Sequence, residues 1–304
     1  MSLAIKNKNK YLYAIRVKLE SAVYRHVLLR NGYLGLRQML LLQQFHGFAS
    51  GDMLFKKIFI ETISYCNNNC AFCPASTAVG MKEPQHRMSE RLYEKIIKEL
   101  EDMAYPGSVA FHGNNEPFLD NRLAEWIAYA RRHLKNNFFY LYTNGLAADI
   151  TTINALFEKG INKVIINNYD DTHRLTPSLV ELVRQEVFLK GETVIYYRRK
   201  NEYKGNRAGQ SPNAEGELTV PLRFVCVRPF AEIVVGYDGT VPLCCADGLW
   251  KSVVGNVSET SISEVWFSPA LKRVRDSLVK RDRSRLVACK FCDAVSFLHL
   301  KGNV

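Results

Sequence analysis

Three thiols fall within eight residues of this chain, in the run Ser64-Tyr65-Cys66-Asn67-Asn68-Asn69-Cys70-Ala71-Phe72-Cys73-Pro74. Thiolates are the usual ligands of 4Fe–4S clusters, and three of them leave one iron without a protein ligand. An open iron points to catalysis for the same reason that an open position does at zinc. Zinc itself is the competing reading. Zinc pairs usually come as Cys-x2-Cys doublets, however, and no fourth Cys or His is close in sequence; His86, across a loop, is the nearest.

The remaining five of the eight cysteines also come in groups: Cys226, then the neighbours Cys244 and Cys245, then Cys289-x2-Cys292. Clustered cysteines in a reducing compartment bind metal more often than they form structural disulfides. A Cys before a hairpin, one at its end and a closing Cys-x2-Cys fit tetrahedral zinc or an iron–sulfur cluster, and spacing alone does not choose between them.

The elements that must position these thiols alternate between strand and helix from residue 55 onward. Strands are predicted at 57–64, 108–113, 138–143, 163–168 and 193–199, with helices at 89–103 (Ser89 as N-cap), 121–134, 153–159 and 178–189. Five strands separated by helices specify parallel βα units with right-handed crossovers. Barrel or open sheet, such a fold gathers chemistry at the C-terminal strand ends, where the first cysteine cluster lies. After residue 200 the alternation stops: 201–216 reads as a polar, Gly-rich linker, 230–244 as a hairpin turning at Asp238-Gly239, and 262–280 as a basic helix.

Composition excludes other classes. The 304 residues are 47% hydrophobic, with no repeat or low-complexity tract, and the longest apolar run falls far short of the roughly 20 residues needed to span a bilayer. No secretory leader is legible, so a cytoplasmic location is expected. The net charge is +11, and residues 1–50 hold eight Lys/Arg against the single acid Glu20. That segment reads as a pair of basic helices, at 11–30 and 34–46, ahead of the catalytic domain. Core packing and peripheral contact with anionic lipid are its two candidate roles. A basic surplus also raises nucleic acid as a partner, but no RNA-binding signature accompanies it.

Cys-x3-Cys-x-aromatic-Cys at the end of a first strand resembles the signature of the radical S-adenosylmethionine (SAM) superfamily. The resemblance implies a 4Fe–4S cluster on Cys66, Cys70 and Cys73 whose open iron chelates SAM. One electron then cleaves the S–C5′ bond, and the 5′-deoxyadenosyl radical abstracts hydrogen from substrate. Phe72 stands at the aromatic position that packs near adenine in the family. Phe111-His112-Gly113-Asn114-Asn115-Glu116-Pro117 resembles the Gly-x-Gly-Glu-Pro element, whose backbone binds the methionyl amino group. Asn115 replaces a glycine there, and its tolerance of left-handed angles is expected to preserve the turn. Leu141-Tyr142-Thr143-Asn144-Gly145 resembles the Thr-Asn-Gly element that contacts SAM. Asn167 and Asn168 at the fourth strand end, and Arg198 and Arg199 at the fifth, are further candidates, an arginine there being able to pair with the SAM carboxylate.

The order of the later cysteines resembles the truncated, twitch-type form of the SPASM domain, which implies one auxiliary 4Fe–4S cluster on Cys226, Cys244, Cys289 and Cys292. Cys245 is left as an alternative ligand, a hydrogen donor to a radical, or an inert neighbour. Asn206-Arg207-Ala208-Gly209 also resembles a stretch common in this subgroup. The implied architecture is α/β, a partial barrel over 51–210 with a basic helical extension at 1–50 and a hairpin-plus-helix auxiliary domain at 211–304. The implied activity is oxidation of a small polar molecule, a sugar or aminocyclitol, with flavodoxin or ferredoxin as reductant. Modification or epimerisation of a peptide is the rival enzymatic reading. A basic iron–sulfur protein binding nucleic acid or membrane is the non-catalytic one.

Overall fold

In a computed structural model, residues 54–76, 86–214, 218, 220–223 and 225–294 are described. The basic pair of helices expected in 1–50, and the lipid contact considered for it, lie outside these residues.

Six parallel strands form one sheet in the order β5-β4-β3-β2-β1-β6. The first five are β1 (Lys57–Ile60), β2 (Ser108–Ala110), β3 (Phe139–Thr143), β4 (Lys163–Tyr169) and β5 (Glu192–Arg198). Each is joined to the next by one of the helices α1 (Glu90–Asp102), α2 (Leu123–His133), α3 (Ile150–Glu158) and α4 (Pro177–Arg184). The helices start where side chains cap them. Ser89 Oγ accepts from Leu92 N at 3.2 Å, and Asp149 Oδ1 from Thr152 N at 2.7 Å. α1 buries Leu92, Tyr93, Ile96, Ile97 and Leu100, the stripe that a 3.6-residue period puts on one face. The alternate sheet face carries Ala110, Tyr140 and Ile165, packed with Phe59, Tyr142 and Tyr196.

The sixth strand departs from the sequence reading. The arms expected to pair as a hairpin over 230–244 separate. β6 (Glu232–Val235) joins the sheet parallel to β1, with Lys57 opposite Glu232 and Ile60 opposite Val235. β7 (Thr240–Pro242) pairs instead with β8 (Val253–Asn256), antiparallel. The turn itself forms, with Gly239 at φ 87° and its N–H bonded to Gly236 O at 2.9 Å. A run of Ile-Val-Val is too apolar for a solvated hairpin and is buried in the sheet.

The helix expected over 262–280 is also divided, into Ile262–Trp266 and Pro269–Val279, because Ser268 caps the second piece and Pro269 opens it. The helix expected at 178–189 ends at Arg184 and passes into a single 3-10 turn, Glu186–Phe188. One hydrophobic core runs from Phe55 through Trp266 to Cys289, so packing is continuous across the expected boundary at 210.

Candidate active site

A cavity opens at the C-terminal edge of the sheet and is lined by Cys66, Cys70 and Cys73. All three are free thiols. Cys70 is buried and the other two are half-buried, so one side of the trio remains approachable. Burial, reinforced by the neighbouring thiols, pushes Cys70 up to about 12, and burial first also raises Cys66 to about 12. Any metal held here must therefore displace protons. Among the described residues no three Cys, His, Asp or Glu side chains group around a single ion. A 4Fe–4S cube asks for no such convergence, since each thiolate binds a different iron.

The loop is held in shape by its backbone. Cys73 N donates to Cys70 O at 3.0 Å and Ser76 N to Cys73 O at 3.1 Å. The chain leaving β5 clamps it from above: Ala71 N donates to Lys200 O at 3.1 Å, Asn213 N to Ala71 O at 3.0 Å, and Ser211 Oγ to Phe72 O at 3.1 Å. His86 does not reach the cavity; it is exposed and stacks on Tyr237 with centroids 5.3 Å apart.

The strand-end motifs meet the thiols there. Phe72, Gly113, Asn114, Asn115, Glu116, Thr143 and Asn167 line the same cavity. Glu116 fastens two motifs together. Its Oε1 accepts from Thr143 Oγ1 at 2.7 Å and from Phe118 N at 3.1 Å, and its Oε2 accepts from Asn144 N at 2.7 Å. Full burial nevertheless raises its pKa to about 7 against those three bonds. Asn115 keeps the turn, but not through a left-handed angle, since its φ is not positive. Its Oδ1 accepts from Gly113 N at 2.8 Å instead. Gly145 does take the left-handed region, at φ 77°, and a Cβ there would meet Ile166 Cγ2 at 2.7 Å.

Four candidates, Pro117, Asn168, Arg198 and Arg199, fall outside the lining. Pro117 opens the 3-10 turn Pro117–Leu119, buried behind the motif. Arg198 faces Asn167, donating from Nε to Oδ1 at 2.7 Å, and so orients a lining residue. Asn168 Nδ2 donates to Arg174 O at 2.9 Å, and Arg199 N donates to Glu202 Oε2 at 3.2 Å.

Sequence reasoning left several lining residues unassigned. Arg207, in the stretch 206–209 whose role was not assignable, enters the cavity and donates to Asn114 Oδ1 and, at 3.3 Å, to Cys245 O. Its backbone is left-handed, at φ 48°, as is that of Ala208 at φ 60°. A polar stretch with flanking glycines was the available signal. Tyr142, Tyr169 and His112 also line the cavity. They sit at or just beyond the strand ends, where alternation puts one residue in two toward the site.

Orphaned groups in the cavity fit the cofactor set. Asn115 Nδ2 and Arg207 Nε are buried with no hydrogen-bond partner, and three free thiols face the same space. Donors and thiols left in this way fit a ligand carrying carboxylate oxygens beside an iron–sulfur cluster.

The second thiol set is closed. Cys226, Cys244, Cys289 and Cys292 are all buried. Burial raises each of Cys244, Cys289 and Cys292, and Cys226 adds to the rise in all three, which makes it their common neighbour. Cys245 differs in its bonding: Arg228 Nη1 donates to its Sγ at 2.8 Å, although its charge also helps to raise Cys244. The stretch at 206–209 joins both sites, because Asn206 N donates to the Asp293 carboxylate at 2.9 Å and Asp293 N returns a bond to Asn206 Oδ1 at 3.1 Å.

Comparison with known proteins agrees with this geometry. A radical SAM superfamily domain matches residues 60–168, and a SPASM iron–sulfur cluster-binding domain matches residues 226–293. The chain is 27% identical over 246 residues to the S-adenosyl-L-methionine-dependent 2-deoxy-scyllo-inosamine dehydrogenase of Niallia circulans, spanning 81% of this chain and 95% of that protein. Among solved structures, BtrN in complex with AdoMet and 2-DOIA superposes with a TM-score of 0.67 at 26% identity, again over 81% and 95% of the two chains. The protein anSMEcpe with bound AdoMet and Kp18Cys peptide shares the fold, with a TM-score of 0.51 at 16% identity over 73% of this chain and 83% of that one. Among the described residues no helix is long and apolar enough to cross a membrane. The chain thus carries a radical SAM domain over residues 60–168 and a SPASM iron–sulfur cluster-binding domain over residues 226–293, and its cofactors are S-adenosylmethionine and two 4Fe–4S clusters.

Proposed function

We propose that this protein is a twitch-type dehydrogenase that oxidises a secondary alcohol of a small polar ring, of the aminocyclitol class, to a ketone. The carrying observation is that three thiols, two of them half-buried, and three strand-end motifs line one cavity, while a second, buried thiol set is tied to that cavity through Asn206 and Arg207. Near-complete coverage of an aminocyclitol dehydrogenase supplies the substrate class.

On this reading Cys66, Cys70 and Cys73 hold the first cluster, and Cys226, Cys244, Cys289 and Cys292 hold the second. The bound cofactors supply a hydrogen-abstracting radical and, in the second cluster, an acceptor for the second electron of the oxidation. The chain's own residues do the rest. Glu116 fixes the loops at β2 and β3 relative to each other, Arg198 orients Asn167, and Asn114, Asn115 and Arg207 present donors and acceptors to SAM. The clamp formed by Lys200, Ser211 and Asn213 holds the cysteine loop to the sheet. Cys245, bonded to Arg228, is not a ligand. The protein acts in the cytoplasm with an acidic flavodoxin or ferredoxin as donor, a partner that suits its +11 charge.

The test is anaerobic turnover of the reconstituted enzyme with SAM, dithionite and 2-deoxy-scyllo-inosamine. The expected product has lost two hydrogens, with one 5′-deoxyadenosine formed per turnover. Formation of 5′-deoxyadenosine with no oxidised product from this or related aminocyclitols would overturn the substrate class.

A further inference from the structure

His112 lines the cavity but has no part in the reading above. It follows β2, and its ring meets Phe59, Tyr140 and Tyr142 edge-on, with centroids 5.4, 5.5 and 4.9 Å away. Only 9% of the residue is exposed. Nδ1 lies 3.2 Å from Tyr142 N, and a backbone N–H can only donate. Nδ1 therefore carries the lone pair.

The ring is also neutral. Burial, helped by the Lys57 ammonium, pushes its pKa down to about 3. The other titratable groups against it, Tyr140 and Tyr142, are held uncharged by burial. A neutral imidazole with Nδ1 unprotonated carries its hydrogen on Nε2. That N–H has no acceptor among the described residues. Phe59 and Tyr140 belong to the strands themselves, below the loops that carry the thiols and motif residues. A group that meets Nε2 therefore sits on the floor of the cavity, beyond the strand-end motifs.

We propose that His112 is a specificity-determining residue that donates a hydrogen bond from Nε2 to a hydroxyl oxygen of the substrate. The inference rests on the polar-ring reading above and deepens it. Nε2 has no lone pair in this tautomer, so His112 does not remove the substrate proton. It selects. A donor with a fixed direction in the cavity wall, once a bound ring has displaced water from it, discriminates against an analogue that lacks the matching oxygen, because the donor is then covered and left unpaired.

Two near-isosteric substitutions in the reconstituted holoenzyme test this. Asn places an amide oxygen where Nδ1 stood, keeping the Tyr142 bond, and has nothing at Nε2. Gln reaches the Nε2 position with an amide N–H and gives up the Tyr142 bond. With 2-deoxy-scyllo-inosamine as probe, His112→Asn should raise KM for the probe about tenfold. His112→Gln should recover most of that loss, and KM for SAM should not follow either change. An unimpaired His112→Asn, or a rise confined to KM for SAM, overturns the proposal while leaving the dehydrogenase reading intact. A wild-type enzyme that does not oxidise the probe overturns the aminocyclitol reading instead. Nitrogen-15 imidazole spectra of the oxidised holoenzyme then decide His112. The expected pattern is a protonated Nε2 and a bare Nδ1, unchanged from pH 6 to pH 8. A protonated Nδ1, or titration in that range, overturns the proposal.

Discussion

The two thiol sets of this molecule follow opposite plans. The first comes from eight consecutive residues on one loop, with Cys66 and Cys73 half-buried at the rim of a cavity. The second draws one thiol from the approach to β6, one from the end of β7 and two from the last described turn, and buries all four. A local loop can present three thiols and leave a gap for a fourth ligand. A site assembled from distant segments encloses what it binds. On the proposed reading, the difference separates a centre that must admit a molecule from one that exchanges only electrons.

The largest effects should come from breaking either plan. Replacing Cys66, Cys70 and Cys73 together with alanine should lower the iron content from about eight to about four per chain and abolish 5′-deoxyadenosine formation. Full iron retention in that variant would refute the assignment of the first cluster. Replacing Cys289 and Cys292 with alanine should leave SAM cleavage measurable and remove the oxidised product, with circular dichroism confirming the fold. Normal product from a folded variant lacking the second cluster would exclude its oxidative role.

A smaller effect sharpens the contrast from behind the open site. Glu61 is fully buried, its Oε2 accepts from Asn114 N at 2.9 Å, and its Oε1 has no partner. Burial raises its pKa to about 7. A carboxyl raised in the folded state binds its proton more tightly there than in the unfolded chain. Its contribution to stability is therefore full below about pH 4.5 and is lost as pH rises to about 7. Glu116, raised to about 7 in the same way, adds a like loss, so the stability of the cluster-free protein in melting should fall by at most about 1.4 kcal/mol per pH unit for each carboxyl, and Glu61→Gln should make the slope shallower by Glu61's share. An identical slope in the variant would place the carboxylate's titration elsewhere. The smallest change is expected at the spare thiol: Cys245→Ala should keep all iron, whereas Cys244→Ala should lose the second cluster.

Legibility in the sequence followed the same division. The thiols and strand-end motifs of the first cavity were readable because each is local: the cysteine spacing, the Glu116 turn and the Thr143-Asn144-Gly145 turn each sit at the end of a strand whose period is plain. For the second site only resemblance pointed to one ligand set, since its spacing fitted zinc equally well. What could not be read were pairings between distant segments. Nothing near Glu232–Val235 reveals that its partner is β1. The turn at Asp238-Gly239 was correct and still misleading, because a local signal fixes the turn and not where its arms go. Arg207 was missed for a related reason: its direction is set by a left-handed backbone and by Asp293, 87 residues beyond Asn206.

The pairing of β1 with β6 also bears on how the chain is made. During synthesis β1 emerges early and finds β2 some fifty residues later, but its other edge waits for Glu232–Val235. Until then the nascent sheet ends in an apolar strand with an unsatisfied row of N–H and C=O groups, an invitation to pair with another chain. The cysteine loop follows directly on that strand. Its three thiols are made more than two hundred residues before Cys292, so the first set is complete on the nascent chain while the second still lacks its last two thiols.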